Sequence, residues 1–470
     1  MIVAGAAMRP LDGVRVLDVT RLLPGSYATL LLADLGADVV KVEDPRGGDG
    51  MRTLPLADGR NVYFELLNRN KRSVTLDLRS PDAAAVLDAL CAHADVIVDS
   101  FRPSTARRLR VHPAVLRARH PHLVCASISG FGQSGPYAER AAHDINYQAL
   151  AGLLFARGST RSTSSGQAHS AGSGQAHSAG SGQAGSTRAK KDALAPSASK
   201  GEPRMPGPLV GDIGAATQTA IGVLAALLLR ARTGGGSVVD VSIHEAAMAW
   251  SMFPSTSDLE NACYAMYETA DGNWLALGAL EPKFWIGFCE RIGRPDLAPL
   301  QHAPDEERAR VLRDVREVMR GRTRDQWLAH FADADVCLTP INTLAEALAD
   351  PHVAARGVVS RDRGTIHITP PHAEVRPAPA LGADTDEVLD AAGIGVSERS
   401  RLRASGSRTR LPAHVPRPRG ARLRESRQAR SASARARPQR FARRRARARR
   451  TPHRPIVGAT PTPVAGHRRR

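Results

Sequence analysis

Three polar positions interrupt otherwise structural patterns in this chain, and each carries a residue type able to do chemistry. The first is His143 in AAHDINY (residues 141–147), just after the glycine-rich strand exit GFGQSGP. Imidazole changes charge near neutral pH, and in an open α/β sheet the loops beyond strand C-termini form the ligand crevice. The plainer reading is a surface or core histidine fixed by Asp144. The second position is Asp212 in VGDIG, ahead of a long apolar stretch. An Asp there is a good helix N-cap. The same helix N-terminus offers backbone donors to an enolate oxygen or a tetrahedral oxyanion. The third is Glu281 in LGALEPKFW, a lone carboxylate before Pro282 that reads equally well as a first-turn helix acid.

These positions need a scaffold, and the chain has the pattern of one. From Gly13, short β-branched runs alternate with apolar-periodic stretches, which predicts a parallel sheet covered by helices. GVRVLDVT, ADVVKVE, RSVTLDL, ADVIVDS and LVCASISG read as strands; Ser26 to Gly36, Pro81 to His93 and the stretch after Pro103 read as helices between them. The layer is Rossmann-like, but no GxGxxG follows the first strand, so a nicotinamide cofactor is not supported. GPLVGDIGAATQTAIGVLAALLLRART predicts a long helix opening at Gly211-Asp212 and ending in the run Gly234 to Gly236, before the strand SVVDVSI. GNWLALGAL, helices through Leu328, and a strand and helix around PINTLAEALAD complete the pattern, which stops after Gly395.

The formal charge of +19 over 470 residues hides two unlike parts. Residues 401–470 hold 23 Arg and a single acid, Glu425, which leaves 42 basic and 45 acidic residues in the first 400. Basicity therefore does not argue for a nucleic-acid-binding core. Residues 396–470 read as a disordered Arg-rich tail: either a basic extension able to hold nucleic-acid phosphates non-specifically, or GC-rich DNA translated out of frame. Residues 161–204 shift to Ser, Gly, Ala and Gln, with SGQAHSAG at Ser165 repeated at Ser173 and begun again at Ser181. Such a segment cannot bury enough apolar surface to offset its ordering entropy, which predicts a flexible insertion and makes His169 and His177 bystanders. Cys91, Cys125, Cys263, Cys289 and Cys337 lack CxxC or CxH spacing, so neither a disulfide framework nor a metal site is expected, and a reduced cytoplasm fits. The longest apolar run, Ile221 to Leu229, is shorter than the roughly 20 residues of a membrane span, and no charged n-region opens the chain. Neither span nor export signal is expected, and Met8 is an alternative start.

GADVVKVEDPRGGD, NRNKRSVTLDL, SGFGQSGP with HDINY, VGD before a long helix, and GALEPKFW occur in the order seen in the type III CoA-transferase superfamily. The chain resembles that superfamily over about residues 9–395 outside the insertion, and most closely its α-methylacyl-CoA racemase branch. That branch carries histidine at the position of His143, where transferases tend to carry an aromatic. The resemblance implies an acyl-CoA substrate and no separate cofactor. It gives His143 and Asp212 the two faces of the α-carbon, one taking the proton and the other returning it with inverted geometry, while Glu281 hydrogen-bonds His143. In a CoA-transferase, Asp212 would instead attack the thioester, through a mixed anhydride and then an aspartyl-CoA thioester. A third reading is a catalytically impaired homologue acting through its basic tail.

CoA carries phosphates that need cations and backbone donors. The segments matching the family's CoA contacts are Lys41, the NRNKRS stretch with Arg69, Asn70, Lys71, Arg72 and Ser73, and Arg102. The backbone of Ala142, Asp144, Ile145, Asn146 and Tyr147 would follow the pantetheine arm; for the charged groups the plainer reading is a solvated face. The resemblance also implies an interlocked homodimer. Its large Rossmann-like domain would span 9–235, a small α/β domain 240–335, and a return segment 336–395.

Overall fold

The computed structural model describes residues 9–54, 62–154, 207–253, 260–362, 365–368 and 375–404. Its centre is a six-stranded, all-parallel sheet: β1 (Arg15–Asp18), β2 (Asp38–Glu43), β3 (Lys71–Thr75), β4 (Val96–Asp99), β5 (Val124–Ser129) and β6 (Val238–Ser242). The spatial order is β3-β2-β1-β4-β5-β6. This is the doubly wound arrangement, whose direction reverses between β1 and β4 and opens a crevice at the strand C-termini there.

Both sheet faces are covered, so alternate residues of each strand enter different cores. Val16, Val39, Val96, Val98 and Val124 pack on one side with α1 (Leu22–Asp34), α7 (Val210–Thr233) and α8 (Ile243–Ser251). Their neighbours Leu17, Val40, Ile97 and Cys125 pack on the other with α3 (Ala83–Ala92), α4 (Pro103–Arg108) and α5 (Pro113–Arg119). Two short helices complete the sheet crossovers, α2 (Tyr63–Asn68) ahead of β3 and α6 (Asp144–Leu150) after β5.

Helix α7 is 24 residues long and apolar enough to cross a membrane, and one face of it packs into the core beside the large sheet. Gly211, Gly214, Ala215, Ala216, Ala220 and Val223 are buried, and small residues let it approach its neighbours closely. A Cβ on Gly222 would stand 2.5 Å from Val239. The helix stops at Gly234, whose left-handed conformation (φ 75°) lets its N–H reach Arg230 O at 2.7 Å.

A second core of Tyr267, Trp285, Phe288, Val311, Trp327 and Phe331 lies between an antiparallel sheet and three helices. The sheet contains β7 (Tyr264–Glu268), β8 (Trp274–Gly278) and β9 (Leu338–Pro340); the helices are α9 (Pro282–Arg291), α10 (Asp305–Met319) and α11 (Arg324–His330). Helices α12 (Leu344–Ala349) and α13 (Pro351–Arg356) lead to the hairpin β10 (Val359–Asp362) and β11 (Thr365–Ile368). The chain then returns to the edge of the large sheet. Ser73 N donates to Asp384 Oδ2 at 2.7 Å and Thr75 N to Thr385 Oγ1 at 3.1 Å, and α14 (Thr385–Ala391) covers β3.

The structure departs from the sequence reading at the start of the tail. Residues Val396–Ala404 form a further helix, α15, with Leu402 fully buried in the α3 core and Arg399 bonded to Asp386 O and Asp390. One buried leucine and two carboxylates on α14 order a segment whose composition looked polar throughout. The proposed insertion 161–204, with His169 and His177, and residues 405–470 of the tail lie outside the described residues.

Candidate active site

A cavity of about 430 Å³ opens at the C-terminal ends of β1, β4 and β5. His143 at the cap of α6 lines it with Asn146 and Tyr147 from that helix, Asp212 from α7, Ser100 and Arg102 from the loop after β4, Arg21 from the loop after β1 and Leu22 from the first turn of α1. His143 and Asp212 therefore line the same cavity. Ile128, Ile243, Pro24 and Leu22 give the cavity apolar surface beside these polar groups.

Local chemistry fixes each group. His143 occupies the N-cap position of α6 in an extended conformation, and its N–H donates to Asn146 Oδ1 at 3.0 Å, which locks the turn. Tyr147 is buried with its hydroxyl on Ala142 O at 3.1 Å and its ring edge-on to Phe131. Burial pushes its phenol up to about 12. Ser104 N and Oγ both donate to Glu139, and Arg102 reaches Glu139 O, so the segment before His143 is stapled to the start of α4.

Asp212 is not the N-cap of its helix. Helix α7 begins two residues earlier, with Leu209 at the cap position. The cap comes from elsewhere in the chain: Asp144 Oδ1 accepts the Asp212 N–H at 2.9 Å, which frees the Asp212 side chain for the cavity. Burial, reinforced by the Asp144 charge, pushes the Asp212 carboxyl up to about 7. It can thus carry a proton at neutral pH.

Glu281 is not brought to this cavity within the chain. It is exposed at the N-cap position of α9, and no hydrogen bond joins it to His143 among the described residues. The CoA-contact expectations also need correction. Lys41 is fully buried, with Nζ 3.0 Å from Asp49 and 3.7 Å from Asp18; Lys71 Nζ lies 3.1 Å from Asp18. Arg69 and Asn70 bond Asp34, Arg72 bonds Asp38, and Ser73 Oγ donates to Glu43 at 2.6 Å. Most of the NRNKRS stretch is interior scaffold rather than ligand surface. The strand alternation explains why: Lys41 lies between Val40 and Val42, which face the α3 core, and points with Val39 beneath α1. Despite the opposing effect of burial, Lys41 and Lys71 hold Asp18 well below the usual carboxylate range, while desolvation pushes Lys71 down to about 8. Arg102, Ala142, Asn146 and Tyr147 do line the cavity; Asp144 lies buried behind it, and Ile145 is exposed outside its lining.

Arg21, Ser100 and Arg140 line the cavity without having been singled out from sequence. The available signal was position, because Arg21 directly follows the predicted strand GVRVLDVT and Ser100 closes the predicted strand ADVIVDS. The Arg21 and Ser100 turns are tied together, Arg21 N donating to Ser100 Oγ at 2.8 Å, and the guanidinium lies over Phe101. Leu22, next in the chain, holds φ at 63°, an uncommon conformation for a residue with a Cβ, at the cavity edge. Arg21 also lines a second cavity of about 190 Å³ over the ends of β2 and β3, with Leu76, Arg79, Phe101 and Arg108.

With this geometry in view, residues 11–176 and 162–385 match the CoA-transferase family III. The chain belongs to that family. Among curated family III proteins, it is 29% identical to human alpha-methylacyl-CoA racemase over 83% of this chain and 96% of the relative. It is 31% identical to the succinyl-CoA–D-citramalate CoA-transferase of Chloroflexus aurantiacus, over 84% of this chain and 97% of that protein. Of solved structures, Rv3272 from Mycobacterium tuberculosis superposes with a TM-score of 0.64 at 27% identity, covering 81% of this chain and 99% of that one. A CAIB/BAIF family protein from Brucella suis gives 0.62 at 26% identity, covering 82% of this chain and 100% of that chain. Curated relatives of both kinds, racemase and CoA-transferase, thus match this chain at similar identity.

Proposed function

We propose that this family III protein interconverts the (R)- and (S)-2-methyl stereoisomers of acyl-CoA thioesters. One of His143 and Asp212 takes the α-proton, the other returns a proton to the opposite face, and the reverse reaction exchanges their roles. The observation that carries this reading is the pairing of an imidazole with a carboxyl group raised to about 7 on one cavity. A two-base racemase needs one group protonated while the other is not. A transferase needs Asp212 ionised and nucleophilic, which burial beside Asp144 opposes.

The substrate thioester would sit in the larger cavity and the nucleotide end of CoA in the smaller one. Arg21 borders both, and Arg79, Arg102, Arg108 and Arg140 supply further cations along the way. CoA is then part of the substrate, and no other cofactor is required by this chemistry. Glu281 would reach His143 from a second copy of the chain. Support for such a dimer lies in Trp250, Met252 and Phe253 at the end of α8 and Ile221, Leu228 and Leu229 on α7, all large apolar side chains left exposed.

The test is incubation with one stereoisomer of a 2-methylacyl-CoA in D2O without an acceptor acid. Loss of optical purity with deuterium at the α-carbon is expected. CoA transfer to an added carboxylic acid, with a hydroxylamine-sensitive adduct on Asp212 and no α-exchange, would replace the racemase reading with the transferase one, which the Chloroflexus relative favours.

A further inference from the structure

Two side chains of α6 tie that helix to the start of α7. Asp144 is buried, with Oδ1 on the Asp212 N–H at 2.9 Å and Oδ2 on Gln148 Nε2. The Gln148 amide also reaches Pro208 O at 3.3 Å, just ahead of α7. A Cβ on Gly211 would stand 3.0 Å from Asp144 Oδ1, so glycine is what permits this approach. The carboxylate replaces the cap that Leu209 cannot supply.

The same carboxylate sets the local charge. Among the described residues no Lys or Arg is ion-paired with Asp144, and the nearest α8 side chains to Gly211 are apolar, Ile243 and Ala247. The remaining titratable or cationic groups around the cavity are Arg21, Arg102, Arg140, His143 and Tyr147. None of these is hydrogen-bonded to Asp144 among the described residues, so its negative charge acts on Asp212 with little local compensation.

We propose that Asp144 is a positioning residue: it fixes Asp212 on the cavity it shares with His143 and biases Asp212 to hold its proton, so that Asp212 is the donor when His143 is the acceptor. This inference rests on the racemase reading. It explains why the residue following His143 is an acid that never reaches the cavity itself. Asp144 touches neither substrate space nor reacting atoms and acts through the turn it caps.

The deciding variant is Asp144→Asn, which keeps an acceptor for the Asp212 N–H and removes the charge. Racemisation kcat should fall about tenfold, and the limb of the kcat/KM profile governed by Asp212 should move to lower pH by about one unit in both reaction directions. Asp212 ionisation is read directly by carboxyl 13C NMR of Asp-labelled protein, the signal being assigned by its loss in Asp212→Asn. It should titrate near neutrality in the parent protein and lower in the variant. Gly211→Ala keeps the charge but crowds the carboxylate, and should lower kcat with a smaller displacement of the limb. An Asp144→Asn protein whose Asp212 titration and pH limb coincide with the parent's would overturn the proposal, as would a Gly211→Ala protein with full kcat. An NMR shift in a protein that never racemises any 2-methylacyl-CoA would sink the racemase reading and leave the positioning role of Asp144 standing.

Discussion

Ser127 Oγ donates to Asp99 Oδ2 at 2.6 Å, joining the ends of β5 and β4 beneath the cavity. The other Asp99 oxygen accepts the Phe101 N–H, so this carboxyl shapes the turn that presents Ser100 and Arg102. Burial pushes Asp99 up to about 7. The folded protein therefore binds this proton more tightly than the unfolded chain, and the resulting stability is present below about pH 4 and lost as pH rises toward 7. Between pH 5 and pH 8 the loss from this one group is about 2–3 kcal/mol. Asp99→Asn should reduce the difference in unfolding free energy between those pH values by that amount, measured by urea denaturation. An unchanged pH dependence would show that Asp99 titrates as it does in the unfolded chain.

His143→Gln and Asp212→Asn each remove one proton-transfer group while keeping side-chain size. General acid–base groups contribute about a hundredfold or more, so each variant should lose racemisation by at least that factor. The check is chiral analysis of the product, with thermal melts to confirm that α6 and the first turn of α7 persist. Near-normal racemisation by either variant would remove that residue from the mechanism.

Arg21 should contribute to binding rather than to the chemical step. It borders both cavities, its guanidinium lies over Phe101, and its N–H is held by Ser100. A charged hydrogen bond to a phosphate is worth roughly 1.5–3 kcal/mol, so Arg21→Ala should raise KM for an acyl-CoA about tenfold or more with kcat little changed. A pantetheine thioester, lacking the nucleotide, should show no such penalty. An equal penalty for both substrates would place Arg21 elsewhere.

Lys41 belongs to the scaffold, and its removal should act on folding. Lys41→Met leaves buried Asp49 without an ion-pair partner among the described residues and Asp18 with Lys71 alone. Breaking a buried pair in this way costs about 3–5 kcal/mol. Chemical denaturation should record that loss, while any surviving folded enzyme keeps its KM for acyl-CoA within about twofold. A large KM change in a fully stable variant would contradict the interior placement.

What the sequence disclosed follows from how local each signal is. The sheet was legible because strands such as VVKVE and VIVD bury both faces, and the long helix was legible from its apolar run and glycine stop. His143 and Asp212 drew notice because they interrupt such runs, the one at the cap of α6 and the other in the first turn of α7. The NRNKRS stretch was misleading: six polar residues in sequence look solvated, and only the pairing with Asp18, Asp34, Asp38 and Glu43 reveals an interior network. Alternation in VVKVE did hold the clue for Lys41, which must share the face of buried Val39. The cap on Asp212 was illegible because it comes from Asp144, 68 residues earlier. Strand β7 was missed as well, since YAMYE pairs with β8 through backbone bonds and carries no strong apolar run.

Gly130 offers a test of how finely the site is packed. It follows β5 and lines the cavity, and a Cβ there would stand 2.4 Å from the Tyr147 hydroxyl and 2.9 Å from its ring. Tyr147 cannot yield freely, because its hydroxyl is bonded to Ala142 O and its ring packs on Phe131. Gly130→Ala should therefore displace Tyr147, and with it the turn that carries His143. Overpacking of this kind costs about 1–3 kcal/mol of stability. A displacement near 1 Å at the reacting groups can cost about a hundredfold in rate, so kcat should fall much further than stability suggests. Adding Tyr147→Phe removes the closest clashing atom and should restore part of the stability lost. It should not restore kcat, because the bond that holds Ala142 beside His143 is gone. Full recovery of kcat in the double variant would show that the Tyr147 hydroxyl plays no part in placing His143.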